Sequence, residues 1–324
     1  MYNILQKYFS SFIFLIKILI IGGAYYVISD KLINDNYINS FLWSERIENL
    51  GTIGFTILFL LLSFTVINWL LEILKWQNLV KTVKDISFSQ AAKQSLSSLT
   101  ASLITPNRIG EYGAKAIYFR KKERPKILLL NFQSNAYQMF VTVLLGLMGI
   151  SVLYRYIVLS DIPFVKITGL SVLVLISIGL LVYFKKNWIY RARNILNEIL
   201  TIPAIIHKKT FLFSLARYMV FSHQFYFFLL FFGVELDYFI AFPTICTMYL
   251  ISSIIPGFVL FDWLVKGSVA VTLFGYFGVN EIIILSITAS MWMLNFALPA
   301  LWGSLYVLVF NSDDLVLAES KVPK

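Results

Sequence analysis

Charge is scarce in this sequence: Asp, Glu, Lys and Arg make up 14% of its 324 residues, where a soluble globular domain carries about 25%. With 59% hydrophobic residues and a mean hydropathy of +0.78, that scarcity excludes a soluble globular protein. Cysteine occurs once, as Cys246 in an apolar run, so no intramolecular disulfide or thiolate cluster can form, and the residue reads as core. The two histidines, His207 and His223, are sixteen positions apart with no carboxylate at ligand spacing. No metal and no cofactor is expected. The chain also lacks a GxxxxGK[ST] phosphate loop, Gly-rich or Pro-rich linkers, and the short alternating segments of a transmembrane β-barrel. Acids are the scarcer sign, 17 against 27 basic residues, for a formal net charge of +10. In a membrane protein such an excess belongs to cytoplasmic loops and anionic headgroups, so no nucleic-acid partner is expected.

What the chain has instead is long apolar runs. Those at about 12–29, 51–74, 127–153, 164–184, 210–232 and 282–309 are each long enough to cross a bilayer. The first has no Ala-x-Ala cleavage pattern and reads as a retained span. Two further stretches, at about 87–120 and 237–277, are broken near the middle by Pro106 and Pro256. The chain reads as an all-α polytopic integral membrane protein, a single transmembrane domain over residues 1–324.

Basic residues near span ends stay on the cytoplasmic side. Eleven lie between Lys75 and Lys126 and six between Lys185 and Lys209, whereas the competing loops hold few. With six spans, this distribution puts both termini in the cytoplasm if the two broken stretches are re-entrant hairpins entering from opposite sides, an inverted repeat. An eight-span chain is the alternative. Residues 187–206, with Lys185, Lys186, Arg191 and Arg193, read as an interfacial helix on the anionic inner leaflet. The expected location is the plasma (inner) membrane.

Aligned on their prolines, the broken stretches share a pattern. Glu111 and Lys115 follow Pro106, and Asp262 and Lys266 follow Pro256-Gly257. An acid with a base four residues on shares one helix face, and the first turn after a break offers unpaired N–H groups to an anion. Asn107, Arg108, Gly110 and Gly113 crowd the first break. Arg108, planar and permanently charged, is the best phosphate ligand there. Arg217, inside the fifth run, is a headgroup candidate or a partner for Glu72 or Glu111, with a snorkel to the interface as the competing reading. Glu72 and Lys75, at the end of the second span, read as a snorkelling pair there, with flanking the site as the competing reading; Lys17 sits inside the first span, and His223 reads as a satisfied helix histidine.

The segment Thr105-Pro106-Asn107-Arg108-Ile109-Gly110-Glu111-Tyr112, between a Ser-rich helix and a basic patch, resembles the Thr-Pro-Gly-Arg-Ile-Gly-Glu-type motif of the lysylphosphatidylglycerol synthase transmembrane, or flippase-like, family. Upstream, Asn68-Trp69-Leu70-Leu71-Glu72-Ile73-Leu74-Lys75-Trp76 is similar to that family's aromatic and basic end of its second span. Downstream, Pro256-Gly257 and Asp262 keep part of a Pro-Gly-Gly-x-Gly-x-x-Glu-like stretch without its later glycines. The resemblance implies lipid translocation between leaflets. The soluble aminoacyl-transfer domain of the synthases is expected to have no counterpart here, so synthase activity does not carry over. The expected function is a flippase for an anionic, phosphate-bearing lipid or lipid-linked intermediate, without enzymatic activity. Its expected site comprises Asn107, Arg108, Glu111, Lys115, Arg217, Asp262 and Lys266, with Pro106, Gly110, Pro256 and Gly257 as structural breaks. The alternative is a non-transporting accessory protein of an envelope glycosyltransferase or lipid-modifying enzyme.

Overall fold

The computed structural model describes residues 51–103, 105, 108–156, 197–255 and 262–310, with 44, 45 and 48. Among these residues there is no strand. In order come α1 (Thr52–Val80), α2 (Phe88–Leu103), α3 (Ile109–Ile117), α4 (Arg124–Leu153), α5 (Ala204–Phe231), α6 (Tyr238–Ile254), α7 (Asp262–Gly275) and α8 (Glu281–Val309). The expected spans 12–29 and 164–184, Lys17, and residues 104, 106, 107 and 256–261 lie outside the described residues.

Local chemistry sets several of these boundaries. Asp237 caps α6 by accepting from the Phe239 N–H at 2.7 Å, and Asn280 caps α8 by accepting from Ile282 at 2.8 Å. Pro125 stands in the first turn of α4, where its missing N–H costs nothing. α1, α4 and α8 are long and apolar enough to cross a membrane, each 29 or 30 residues. α5 has the length, 28 residues, without that apolarity. Its sequence places Arg217, Tyr218, Ser222, His223 and Gln224 where a lipid-facing helix would carry aliphatics.

The broken stretches appear as paired short helices. α2 has 16 residues, α3 has 9 and α7 has 14, each below the roughly 17–25 that a span needs. α2 packs on α3, α6 on α7, α1 along α5, α4 along α6, and the second half of α8 along α2. Close packing uses small residues, as expected where lipid removes the hydrophobic drive between helices. Gly303 of α8 lies on the Leu96 carbonyl and Thr100 Oγ1 of α2, leaving no room for a Cβ, and Thr100 donates to the Ala300 carbonyl at 2.8 Å. Gly146 and Gly149 of α4 lie against Leu250, Pro243 and Thr247 of α6 in the same way.

Four apolar clusters hold the described helices, and two of them are the larger. One, from α5 to α8, centres on Phe225, Phe228, Phe231, Phe232 and Phe274. The other joins α1 to α4 through Trp76, Leu79, Ile86, Phe119 and Ile127. The outer faces of α1, α4 and α8 stay apolar as well, with Phe55, Phe59, Phe132, Met148 and Trp302 exposed. A surface of that kind calls for lipid rather than water.

Two boundaries differ from the sequence reading. α1 runs five residues beyond Lys75, so Glu72 and Lys75 sit inside the helix and are buried, rather than snorkelling from its end. The reason is packing: the last turns of α1 carry Trp76, Leu79 and Val80, which must reach the second cluster. The expected interfacial helix at 187–206 is described only from 197, and its last residues belong to α5, which starts after Pro203. Proline has no N–H to continue a helix from upstream, so α5 begins there.

Candidate functional site

The first break sets the position of Arg108. Thr105 Oγ1 donates to the Ser102 carbonyl at 3.1 Å and accepts from the Gly110 N–H at 2.8 Å, tying the end of α2 to the start of α3. Arg108 caps α3 in the left-handed region with φ 58°, the sole non-glycine residue at positive φ among those described. For a residue with a Cβ that conformation costs about 1–2 kcal/mol. Gly110 is required because a Cβ would press on the Ala101 carbonyl and Thr105 Oγ1. Gly113 faces open space, so it does not serve close approach. Gly110→Ala should lower stability by about 1–3 kcal/mol through overpacking. Gly113→Ala should instead be neutral or raise it by up to about 1 kcal/mol from helix propensity. Unfolding midpoints of the two variants in one detergent check the contrast, and equal midpoints would refute it.

From this break a charged trio extends inward. Arg108 Nη2 lies 2.9 Å from Glu111 Oε2, and Lys115 Nζ 2.8 Å from Glu111 Oε1. Lys115 is 1% exposed, its Nζ also donating to Asn131 Oδ1 at 2.8 Å and resting 4.4 Å from the Trp76 ring centre. A second trio is built by α1 and α5. Lys75 Nζ and Arg217 Nη1 each lie 2.8 Å from Glu72 Oε2. Lys75 is likewise 1% exposed. The two trios are alike: one carboxylate shared by a deeply buried lysine and an arginine. The third group is the pair Asp262–Lys266, 2.6 Å apart on the first turn of α7.

An amide chain holds the second trio. Asn68 Oδ1 accepts from Arg217 Nε at 3.0 Å while its Nδ2 donates to Asn295 Oδ1 at 2.8 Å. Asn295 Nδ2 donates to Gln224 Oε1 at 2.9 Å, and Gln224 Nε2 donates to the Leu61 carbonyl and Thr65 Oγ1. Asn295 can occupy this position because α8 changes form at Met293–Ala297, a π-helical turn. Pro299, four residues after Asn295, has no N–H to donate, and its ring would crowd the Asn295 carbonyl in a regular α-helix. The wider turn relieves that crowding and frees the carbonyl, which accepts from Trp69 Nε1 at 3.1 Å.

These elements surround one cavity of about 480 Å³. Arg108, Arg217, Asp262 and Lys266 line it together with Asn68 and Asn295, so both breaks and α5 contribute to one chamber. Phe296, on the π turn, sits between the two breaks: its ring centre lies 6.0 Å from the Arg108 guanidinium and 5.5 Å from Lys266 Nζ. Tyr249 takes the other side of Lys266 at 5.7 Å. Phe221, Phe225, Met248, Met291 and Trp292 make the rest of the wall largely apolar. Met139 of α4 lines the chamber and is 45% exposed.

Of the residues expected at the site, Arg108, Arg217, Asp262 and Lys266 meet at the cavity. Glu111 and Lys115 do not line it and stand behind Arg108 as its charge partners. Asn107, Pro106, Pro256 and Gly257 lie outside the described residues. Arg217 pairs with Glu72 rather than reaching for the interface, because Glu72 and Asn68 lie along the α1–α5 contact. Asn68, Gln224, Asn295 and Phe296 were missed as site residues, and Glu72 was expected only beside the site or as a partner of Arg217. The available signal was polar amides inside apolar runs, and an Asn four residues before a proline. His223 Nδ1 donates to the Met219 carbonyl at 2.8 Å and its Nε2 lies 3.0 Å from Tyr238 Oη, a helix histidine satisfied by neighbours.

Five cations against three carboxylates leave a local excess of two positive charges, with Glu72, Lys75, Glu111 and Lys115 buried and the other four groups partly exposed. An excess of that sign favours the approach of an anion. Neither a curated protein nor a solved structure matches the chain. Residues 14–303 match the family described as lysylphosphatidylglycerol synthase TM region, and the chain belongs to that family.

Proposed function

We propose that the protein moves a phosphate-bearing anionic lipid, or a lipid-linked intermediate, between the leaflets of the plasma membrane. The observation that carries this reading is the excess of two cations facing a chamber whose remaining wall is largely apolar. A headgroup docks on Arg108 and Arg217 while its tail leaves past Met139 into lipid. Membership of a family of membrane-lipid proteins supports the same direction. The hairpins α2–α3 and α6–α7 enter from opposite sides, so the chamber at their meeting can open to either leaflet in turn. The basic stretch from Lys75 to Lys126 faces the cytoplasm.

The chamber binds rather than reacts. Its two serines donate to their own helix, Ser252 to the Met248 carbonyl and Ser253 to the Leu250 carbonyl, each at 2.7 Å. Among the described residues neither is paired with a base, as a nucleophile would need.

Leaflet exchange of labelled phosphatidylglycerol and a polyprenyl phosphate in proteoliposomes tests the proposal. Wild-type protein should exchange at least one of them, and Arg108→Ala should abolish that exchange while the protein stays folded. Wild-type rates in Arg108→Ala would refute the assignment of the site. Folded wild-type protein that exchanges neither lipid would refute translocation and favour an accessory role beside an envelope enzyme, detected by stable co-purification.

A further inference from the structure

The two trios share a design that the overall charge excess does not by itself reveal. In each, the carboxylate is neutralised once by a lysine that is 1% exposed and has no route to a ligand. The arginine on the other side of the same carboxylate lines the chamber. Each trio therefore carries one unit of positive charge, and only the arginine can deliver it. Glu72 and Glu111 orient their arginines without cancelling them, since each carboxylate already has its lysine. Asp262 and Lys266 add no net charge.

Both guanidiniums retain donors for a ligand. Arg108 engages Glu111 through Nη2, and its side chain, 34% exposed, lines the chamber. Arg217 spends Nε on Asn68 and Nη1 on Glu72, and its Nη2 has no protein partner among the described residues. A guanidinium matches a phosphate edge with two parallel donors, and two guanidiniums match two edges.

Resting on the translocation reading above, we infer that the chamber is built for a dianion, a terminal phosphomonoester, in preference to the single charge of a phosphodiester. A phosphodiester leaves one trio uncompensated in a low-dielectric interior, where an unpaired charge is costly. A phosphomonoester compensates both. It loses its second proton with a pKa of about 6, so its match to the chamber rises with pH across that value, while a phosphodiester keeps one charge throughout.

The test is calorimetric titration of the purified full-length protein in detergent. The ligands are dihexanoyl phosphatidic acid, dihexanoyl phosphatidylglycerol and glycerol 3-phosphate, at pH 7.5 and pH 5.0. At pH 7.5 phosphatidic acid should bind about tenfold or more tighter than phosphatidylglycerol, and at pH 5.0 the ratio should fall to about threefold or less. Equal affinities at pH 7.5, or a ratio that does not change with pH, would overturn the dianion assignment. Glycerol 3-phosphate binding as tightly as phosphatidic acid would make a free phosphate compound the ligand and overturn the lipid source.

Arg217→Gln should bring phosphatidic acid down to the phosphatidylglycerol level, and Arg217→Lys should restore part of the difference. If Arg217→Gln does not fold, the wild-type ranking and its pH dependence still decide. The two proposals separate cleanly in combination with the exchange assay. Tight, pH-dependent binding without leaflet exchange keeps the dianion site and refutes translocation. Exchange of both lipids with no preference keeps translocation and refutes the dianion.

Discussion

Glu72→Gln should lower the stability of the detergent-solubilised protein by about 3–5 kcal/mol, the usual cost of removing one partner from a buried ion pair. Glu72 is 6% exposed and is shared by Lys75 and Arg217, each 2.8 Å from the same oxygen. The amide leaves two buried cations facing each other across a neutral group, and the trio's charge rises from one to two. Adding Lys75→Met returns the charge to one and fills the lysine's volume with an apolar chain, so the double variant should recover most of the loss. The recovery distinguishes a charge effect from a packing effect, because Lys75→Met restores no hydrogen bond to position 72. Glu281→Gln, on the exposed first turn of α8, serves as the comparison and should cost less than about 1 kcal/mol. Denaturation by an anionic detergent, read by tryptophan fluorescence, gives all three numbers. A loss below about 1 kcal/mol for Glu72→Gln would mean that water reaches the trio and screens it.

The sequence carried the local half of this site and not the long-range half. Spacing alone placed Glu111 with Lys115 and Asp262 with Lys266, since residues four apart on a helix must share a face, and both pairs are formed. Pro106 marked the break after α2, while the close packing of the Ser-rich helix before it on α8 emerged only from the fold. What spacing could not supply was which pair faces a chamber. Lys115 and Lys266 occupy equivalent positions in the pattern, yet Lys115 is enclosed by Asn131 and Trp76 while Lys266 lines the cavity beside Tyr249 and Phe296.

The Arg217–Glu72 pair joins residues far apart in the chain, and its signal in the sequence was only that both are charged within apolar runs. Asn295 was harder still. Its role depends on Pro299 forcing a π turn, which rotates Asn295 and Phe296 toward the chamber against the regular helical period. A hydrophobic pattern read at 3.6 residues per turn does not register that rotation. Departures of this sort gather at functional sites, where helix irregularity aims side chains that a regular helix would direct elsewhere.

Arg108→Gly should leave the protein about 1 kcal/mol more stable than Arg108→Ala, and both should lose lipid exchange by about a hundredfold or more. The stability difference follows from the backbone: at φ 58° alanine keeps the Cβ penalty that arginine bears, and glycine does not. The ion pair is lost equally in both variants, and Glu111 stays neutralised by Lys115, so neither leaves a buried charge without a partner. The exchange loss follows from the ligand side. A charge-assisted hydrogen bond contributes about 1.5–3 kcal/mol, and each 1.4 kcal/mol is a factor of ten. The strained conformation therefore serves the site rather than the fold. Paired unfolding and exchange measurements on the two variants decide this. If glycine is no more stable than alanine, the left-handed backbone at position 108 is not strained. If Arg108→Gly retains wild-type exchange, the guanidinium is not the headgroup ligand, and the chamber's remaining cations, Arg217 and Lys266, must bind without it.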